Sequence, residues 1–223
     1  RATLVLREME RANLPAANAL LKTLEEPPAH VVLLLTSARP HALLPTIVSR
    51  CQVLALRGLP RQEVADVLAG HWGAGREQAE LLARLADGRL GWAVQRLTDG
   101  KTWEERSRRL VEARELPRQS RVQRLAYADE LSRTPAALLP TLALWISWWR
   151  DVLLVQQGCA DAVRNIDLAA ELAGEAASFD PRQVQGFVTR LQAAPIQINQ
   201  NANARLLLEA LVLHAPAVRP GAA

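Results

Sequence analysis

The stretch Asn18-Ala-Leu-Leu-Lys-Thr-Leu-Glu-Glu-Pro-Pro28 is followed by the apolar run Val31-Val-Leu-Leu-Leu35 and then by Pro45-Thr-Ile-Val-Ser-Arg-Cys51. The first segment is helical in pattern, and its two consecutive prolines stop the helix and impose an extended path. The second has the length and continuous hydrophobicity of a strand buried on both faces. The third holds Arg50 in a Ser-Arg-Cys triplet, just ahead of another strand-like run. These three segments decide the fold.

Three short β-rich runs occur early in the chain, at Thr3–Leu6, Val31–Thr36 and Gln52–Leu56. A helical pattern over Pro15–Leu24 separates the first two runs, which predicts a βαβ unit in a parallel sheet. Because the chain enters a strand almost at once, we expect it to be the C-terminal part of a longer protein. The run Gln52–Leu56 would then lack its usual neighbouring strand, so we expect this edge to be paired by another chain or poorly ordered.

After Gly58-Leu-Pro60 the pattern becomes helical and remains so. The predicted helices are Arg61–Gly70, Glu77–Ala86, Leu90–Leu97, Trp103–Glu115, Val122–Ser132, Pro135–Gly158, Asp161–Ala177, Asp180–Ala194 and Ile196–His214. Asn201 and Asn203 are suited to satisfy free N–H groups at a helix start. Residues 216–223, rich in proline and alanine, are predicted to be a disordered tail.

The composition is that of a soluble, mainly helical protein, with 49% hydrophobic and 22% charged residues among 223. We see no apolar run near the roughly 20 residues that span a bilayer, and no signal peptide, so we expect a cytoplasmic protein without a membrane segment. The net charge of +4 suits proximity to nucleic acid but lacks the clustered basic stripe of a DNA-binding face. No cysteine or histidine spacing predicts a metal site.

The three opening segments closely resemble the AAA+ ATPase module of bacterial clamp-loader subunits of the DNA polymerase III holoenzyme, in particular the delta-prime type. The resemblance extends along nearly the whole chain. It implies a mainly α fold with a small α/β remnant: residues 1–58 as the C-terminal half of an AAA+ nucleotide-fold domain, 59–116 as its helical lid, and 117–215 as a helical collar for oligomerisation. The family's phosphate loop and zinc cysteines would lie upstream of Arg1.

The same resemblance implies that Arg50, flanked by Ser49 and Cys51, is an arginine finger acting in trans. It would reach the ATP and Mg²⁺ held by a neighbouring subunit, where a fixed guanidinium neutralises charge that develops on the transferred phosphoryl group. Without the accompanying motifs, the triplet would be an ordinary surface arginine before a strand.

Some positions that serve the nucleotide in the family differ here. Arg7 stands where the family has a magnesium-binding aspartate, and a guanidinium cannot ligate Mg²⁺. Glu8 follows it and retains a carboxylate. Thr36 and Ser37 occupy the sensor 1 position, where a hydroxyl lies near the γ-phosphate; taken alone, they are two hydroxyls that end a strand.

In the lid, Trp92 stands where the family carries the sensor 2 arginine. An indole cannot pair with a phosphate, although it can pack between helices. Arg89 or Arg96 could substitute, but a solvated helix face explains both better. These departures together predict that the chain is not itself an active ATPase and holds no cofactor of its own.

The resemblance therefore implies a stator subunit that joins motor (tau/gamma) and delta subunits through the collar. It would act on the sliding clamp and on primer-template DNA indirectly, within the nucleoid-associated replisome. Two alternatives remain open. An intact phosphate loop and a restored magnesium ligand upstream would indicate an ATPase motor of the tau/gamma type. A helical scaffold with no role in nucleotide chemistry would leave a partner's ATP turnover unchanged when Arg50 is replaced.

Overall fold

The computed structural model describes residues 2–219, apart from the side chains of residues 100–102. The chain packs as two units, which divide between Arg57 and Gly58. The first contains the β-strands and the second is helical, which confirms the predicted mainly α fold with a small α/β remnant.

The first unit is built on a parallel pair of strands, β1 (Ala2–Leu6) and β2 (Val31–Leu35), with Ala2 opposite Val31 and Leu6 opposite Leu35. Helix α1 (Leu14–Glu25) connects them, and the Asn13 side chain caps it by accepting a hydrogen bond from the Ala16 N–H at 2.9 Å. A short helix, α2 (Pro45–Val48), follows β2. The predicted βαβ unit is therefore present.

The predicted strand Gln52–Leu56 does not form; residues 52–60 have no regular structure. Val53, Leu54 and Leu56 are 59%, 76% and 97% exposed. A strand needs a neighbour for its backbone N–H and C=O groups, and within the described residues the sheet contains β1 and β2 alone. The segment is irregular in the described chain, and the expectation that this edge is paired by another chain or poorly ordered stays a prediction.

The second unit is entirely helical in its regular structure within the described residues. Its helices are α3 (Arg61–Trp72), α4 (Arg76–Ala86), α5 (Leu90–Thr98), α6 (Gly100–Glu115), α7 (Arg121–Ser132), α8 (Pro135–Gln156), α9 (Ala169–Ser178), α10 (Pro181–Asn199) and α11 (Ala204–Leu213).

Helices α3, α4 and α5 lie in the segment predicted to be the lid, a name kept here for them, and they share one apolar core. Val64, Leu68 and Leu82 are fully buried in it. A tight turn precedes α5: Asp87 and Gly88 both have positive φ, 52° and 78°. Gly88 lies against the backbone of Gly58, and its carbonyl accepts a hydrogen bond from the Leu59 N–H at 2.9 Å. The turn therefore fixes the start of the unit against the end of α4.

Helix α6 belongs to two cores. Near its N-terminus, Trp103 packs against the lid core, whereas Leu110 and Ala113 are buried in the collar core together with Leu116 just beyond the helix. The predicted boundary at residue 116 therefore does not coincide with a break in packing.

The collar core surrounds α8. Trp145, Trp148 and Trp149 have no exposed surface. Trp149 meets Phe179 and Phe187 edge-on, with ring centroids 5.2 and 5.4 Å apart. Such contacts stabilise beyond simple area burial, by about 0.5–1.5 kcal/mol per pair.

By length and composition alone, α8 could cross a membrane: it has 22 residues with a mean hydropathy of 1.3 in its most apolar window. Sequence analysis predicted a helix here but no run apolar and long enough to span a membrane. Its three buried tryptophans and the buried Asp151 place it as the central helix of a packed core, which is where a long apolar helix of this kind is also found.

Two predicted helices have different bounds. In place of Asp161–Ala177, two short 3₁₀ turns precede α9, because a buried side chain captures the backbone of residues 164–165. Helix α10 continues through Pro195 rather than ending before it. The break comes later, where Asn203 caps α11 by accepting from the Leu206 N–H at 3.1 Å, as expected of that asparagine.

The capturing side chain is Asp151, whose carboxylate is fully buried. One of its oxygens accepts hydrogen bonds from the backbone N–H groups of Arg164 and Asn165 and from the Asn165 side-chain amide, each at 2.8 Å. The other lies 3.2 Å from the Arg150 guanidinium. A buried carboxylate is tolerated only with such a complete set of donors.

The segment held by Asp151 in turn joins lid and collar. Arg84 of α4 donates to the carbonyls of Asp161 and Val163, both at 2.9 Å. Arg106 of α6 pairs with Asp167 at 2.7 Å. Cations from the lid and from α6 are therefore anchored on one short stretch of the collar.

The described part of the predicted disordered tail is held in place. Val218 forms an antiparallel bridge with Phe179, and the Arg219 N–H donates to the Ser178 carbonyl at 2.9 Å. Residues 216–219 thus differ from the expectation of disorder, and residues 220–223 lie outside the described residues.

We expect Asp151→Ala to lower the free energy of unfolding by about 3 kcal/mol or more, because several buried donors lose their acceptor at once. Chemical denaturation measures the change. Asp151→Asn keeps one oxygen, so its free energy of unfolding should lie between those of the unsubstituted protein and Asp151→Ala. The matched control Asp66→Ala removes an exposed carboxylate from α3 and should change stability by no more than about 0.5 kcal/mol. Equal losses in the two alanine variants would contradict the assigned role.

Gly88→Ala should destabilise the second unit by about 1–3 kcal/mol. The added methyl group would sit 2.7 Å from the Gly58 Cα at a residue with φ of +78°. Gly91→Ala is the control, because a methyl there meets nothing within 4 Å; it should stabilise α5 by up to about 1 kcal/mol. Thermal unfolding of both variants measures the two changes in stability. Changes of the same sign would contradict the role assigned to Gly88.

Candidate functional site

Arg50 lies just after α2 on the surface of the first unit, with 35% of its side chain exposed. One terminal nitrogen donates to the Thr46 carbonyl at 3.0 Å. The other lies 2.6 Å from a carboxylate oxygen of Glu25. The guanidinium is therefore held at a defined place and still accessible to solvent, which is the arrangement that a group reaching an external anion requires.

Glu25 is a residue that sequence analysis missed. It ends α1 in the Glu-Glu-Pro-Pro motif, and the chain folds back so that α1 and α2 pack together. No local signal marks Glu25, because it is distant from Arg50 in sequence and meets it only through the packing of α1 against α2. The structure places the two in contact, and Glu25 orients Arg50.

The neighbours of Arg50 have supporting positions. The Ser49 hydroxyl donates to the Thr46 carbonyl at 3.2 Å and so helps to end α2. Cys51 is a half-buried free thiol that packs against the core formed by Met9, Ala17 and Ile47. The Ser49 hydroxyl also accepts from the Arg50 guanidinium at 3.5 Å, whereas the Cys51 side chain lies against the core; both residues fix the backbone on either side of Arg50.

The predicted strand-end residues come together at one edge of the sheet, since β1 and β2 are parallel. The Thr36 hydroxyl accepts from the Glu8 N–H at 3.3 Å, and Glu8 adopts a left-handed backbone conformation with φ of 56°. The Glu8 carboxylate is, however, paired with Arg11 at 2.7 Å. Its charge is therefore already directed at a cation of its own chain.

A second carboxylate at this edge, Glu10, was also missed by sequence analysis. It accepts a hydrogen bond from the Ala38 N–H at 3.2 Å. Hydrogen bonding from its own backbone, followed by the Ser37 hydroxyl, lowers the pKa of Glu10 below its usual value. This carboxylate stays ionised under mildly acidic conditions. The Ser37 hydroxyl accepts a hydrogen bond from the Arg39 N–H at 3.1 Å, and its sensor role stays a prediction.

Within the described residues, no group of three or more histidine, cysteine, aspartate or glutamate side chains could hold a metal ion. Arg7, at the position of the family's magnesium ligand, is exposed. The edge of the sheet therefore presents hydroxyls and the carboxylates of Glu8 and Glu10, of which Glu8 is paired with Arg11.

In the second unit, Trp92 packs against the lid core. The guanidinium carbons of Arg96 and Arg89 lie 5.1 and 5.8 Å from the centre of its ring. Such cation–π contacts contribute about 0.5–1 kcal/mol each at exposed sites. Arg89 and Arg96 are therefore placed by the indole rather than simply solvated.

Comparison with known proteins identifies relatives over different parts of the chain. A family model described as "DNA polymerase III, delta subunit" matches residues 1–60. The tau subunit of Salmonella typhimurium DNA polymerase III is 46% identical over 87 residues, which is 37% of this chain and 13% of that protein. A solved structure of a DNA polymerase III gamma subunit-related protein from Thermotoga maritima superimposes with a TM-score of 0.42 and 20% identity, covering 95% of this chain and 71% of that one.

The delta-prime subunit of Pseudomonas aeruginosa DNA polymerase III is similar along most of the chain, with 32% identity over 227 aligned positions. The match takes in 96% of this chain and 65% of the Pseudomonas protein, so the chain spans slightly less than two thirds of that relative. Along nearly its whole length, the chain is similar to the bacterial DNA polymerase III delta-prime subunits.

Proposed function

We propose that the chain is the stator subunit of a bacterial sliding-clamp loader and that Arg50 is its arginine finger. It would assemble with motor (tau/gamma) and delta subunits in the cytoplasm and act during loading of the clamp on primed DNA. The observation that carries the proposal is the position of Arg50: its guanidinium is ordered by Thr46 and Glu25 and remains open to solvent on its outer side.

The Glu25–Arg50 pair supports this role energetically. The two side chains are 51% and 35% exposed, and ion pairs at such sites stabilise by about 0–1 kcal/mol. A triphosphate on a neighbouring subunit presents several charges to the same guanidinium and can compete with a single carboxylate. Glu25 therefore orients the finger without preventing its use.

The edge of the sheet favours a stator over a motor. The tau relative is similar over 37% of the chain, so similarity over that part does not separate the two types. Arg7 and the Glu8–Arg11 pair leave no aspartate-glutamate set to hold Mg²⁺ and orient water. The motor alternative would need those groups from elsewhere.

The collar carries apolar surface suited to subunit contacts. Helices α7 and α11 pack against each other, and each leaves large apolar side chains outside the core: Val122 is 77% exposed and Leu206 is 62% exposed. Ile196 of α10 is 60% exposed. Residues of this kind are buried in obligate assemblies, which supports oligomerisation through these helices.

Arg50→Ala should abolish hydrolysis at the one ATP site that faces this subunit in a reconstituted complex. Arginine fingers supplied in trans to small GTPases contribute about 10³–10⁵ in rate, so we expect a fall of about 10³ at that site. Single-turnover hydrolysis with the other sites inactivated measures it. Arg50→Lys should remain impaired, because an ammonium lacks the planar fork.

The matched control for this experiment is Arg57→Ala, which removes an exposed arginine from the same unit. It should leave both assembly and turnover unchanged. Assembly of the Arg50→Ala complex is checked by gel filtration. Normal turnover in a fully assembled Arg50→Ala complex would establish the scaffold alternative instead.

Glu25→Gln should lower the same single-site rate several-fold, because the finger loses its orienting partner, while stability changes by less than about 1 kcal/mol. A double-mutant cycle gives the specific readout: Glu25→Gln should have no further effect once Arg50 is alanine. Additive effects of the two substitutions would show that Glu25 acts by another route.

A further inference from the structure

A cavity of about 460 Å³ lies in the second unit between lid and collar. Its walls come from α5, α6 and α8, with Trp92 and Trp103 on one side and Ala137, Pro140 and Leu144 on the other. This volume is within the range of about 300–1,000 Å³ that small-molecule sites occupy.

Arginines dominate the polar lining of this cavity. Three of them are neutralised by carboxylates: Arg106 by Asp167 at 2.7 Å, Arg164 by Asp87 at 2.9 Å and Arg109 by Glu112 at 3.1 Å. These pairs hold the walls together.

The two other arginines, Arg89 and Arg96, have no carboxylate within 4 Å among the described residues. One carboxylate, Glu105, lines the cavity itself, and it lies 4.0 Å from Arg109. The positive charge of Arg89 and Arg96 is therefore uncompensated at the cavity wall.

Two buried N–H donors at the cavity have no acceptor. The Nε atoms of Arg96 and Arg106 are both buried and unpartnered, and Arg106 as a whole is only 8% exposed. A buried charged donor without a partner is unfavourable. A side-chain shift that exposed these atoms to an acceptor in the cavity would therefore be favoured.

The cations are also fixed in advance. Arg89 and Arg96 lie over the Trp92 ring, and Arg106 lies 5.4 Å from the centre of the Trp103 ring. Side chains held in this way lose little conformational entropy when an anion binds.

We propose that this cavity binds a nucleotide, with its phosphate on Arg89 and Arg96 and its base against the apolar wall of α8. Phosphate oxygens are acceptors only, which matches a lining whose charged groups are almost all donors. The apolar residues and the indole of Trp103 suit the face of a base. The nucleotide is either free or part of a single DNA strand.

The lining argues against an acidic peptide. A peptide brings backbone N–H groups as well as carboxylates, and each buried N–H needs an acceptor. The cavity offers few: Glu105, and hydroxyl oxygens such as that of Ser147, which already accepts from Asn165 at 3.2 Å.

Binding is tested with dAMP by isothermal titration calorimetry at low salt. Arg89→Gln/Arg96→Gln should raise the dissociation constant at least tenfold. Ala136→Phe fills the cavity from α8 without changing charge and should do the same. The control Arg182→Gln/Arg190→Gln removes two exposed arginines of α10 that do not line the cavity, and it should change the constant less than twofold.

The two parts of dAMP, measured separately, and a competing peptide test the chemical class of the ligand. Inorganic phosphate and deoxyadenosine should each bind at least tenfold more weakly than dAMP. If phosphate binds as well as dAMP, or if a glutamate-rich peptide binds more tightly, the nucleotide assignment is overturned. Unchanged dAMP affinity in the Arg89/Arg96 variant overturns the site itself.

The two sources are separated with a fluorescein-labelled (dT)₈ lacking a terminal phosphate, followed by anisotropy. Tighter binding than dAMP, with mutual displacement, identifies a DNA strand; weaker binding identifies a free nucleotide. Arg50→Ala should bind dAMP normally, so this inference and the arginine finger stand or fall separately.

Discussion

The helical unit depends on one buried charge. Asp151 has no exposed surface, and removing a carboxylate from water is tolerated only where protein donors replace the lost hydration. The donors come from the backbone and side chain at residues 164–165, so satisfying the charge dictates the path of the connection between α8 and α9. That path in turn presents the Asp161 and Val163 carbonyls to Arg84 and the Asp167 carboxylate to Arg106. One desolvated group therefore determines how lid and collar meet.

The first unit contains an exposed ion pair instead of a buried charge. Both side chains of this pair, Glu25 and Arg50, are partly exposed, so the pair contributes little to stability. What it provides is direction, since the guanidinium is fixed on two sides and open on a third. A structural arginine in this chain, such as Arg106, is buried with its terminal nitrogens bonded within the chain. The difference in burial separates a side chain available for chemistry from one that is committed to packing.

Much of the fold could be predicted from the sequence because hydrophobic period and proline placement are local signals. The βαβ unit, the lid helices and the cap at Asn203 are examples. The strand at Gln52–Leu56 could not be predicted correctly, because apolar character indicates a strand only when a neighbour is there to pair with it. The helix predicted before α9 was wrong for a different reason. The Asp151 carboxylate binds the backbone N–H groups of residues 164–165 and overrides the local helical preference there. Arg50 could be singled out from its triplet, whereas Glu25 and Glu10 became visible only when tertiary contacts brought them beside their partners.

Helix α6 contributes Trp103 to one apolar core and Leu110 to another. A helix that is packed at both ends resists bending and twisting, because either motion strains its backbone hydrogen bonds. Reorienting the lid on the collar would therefore require one end of α6 to leave the apolar core in which it is packed. We expect α6 to couple the two cores rigidly, without a hinge between them.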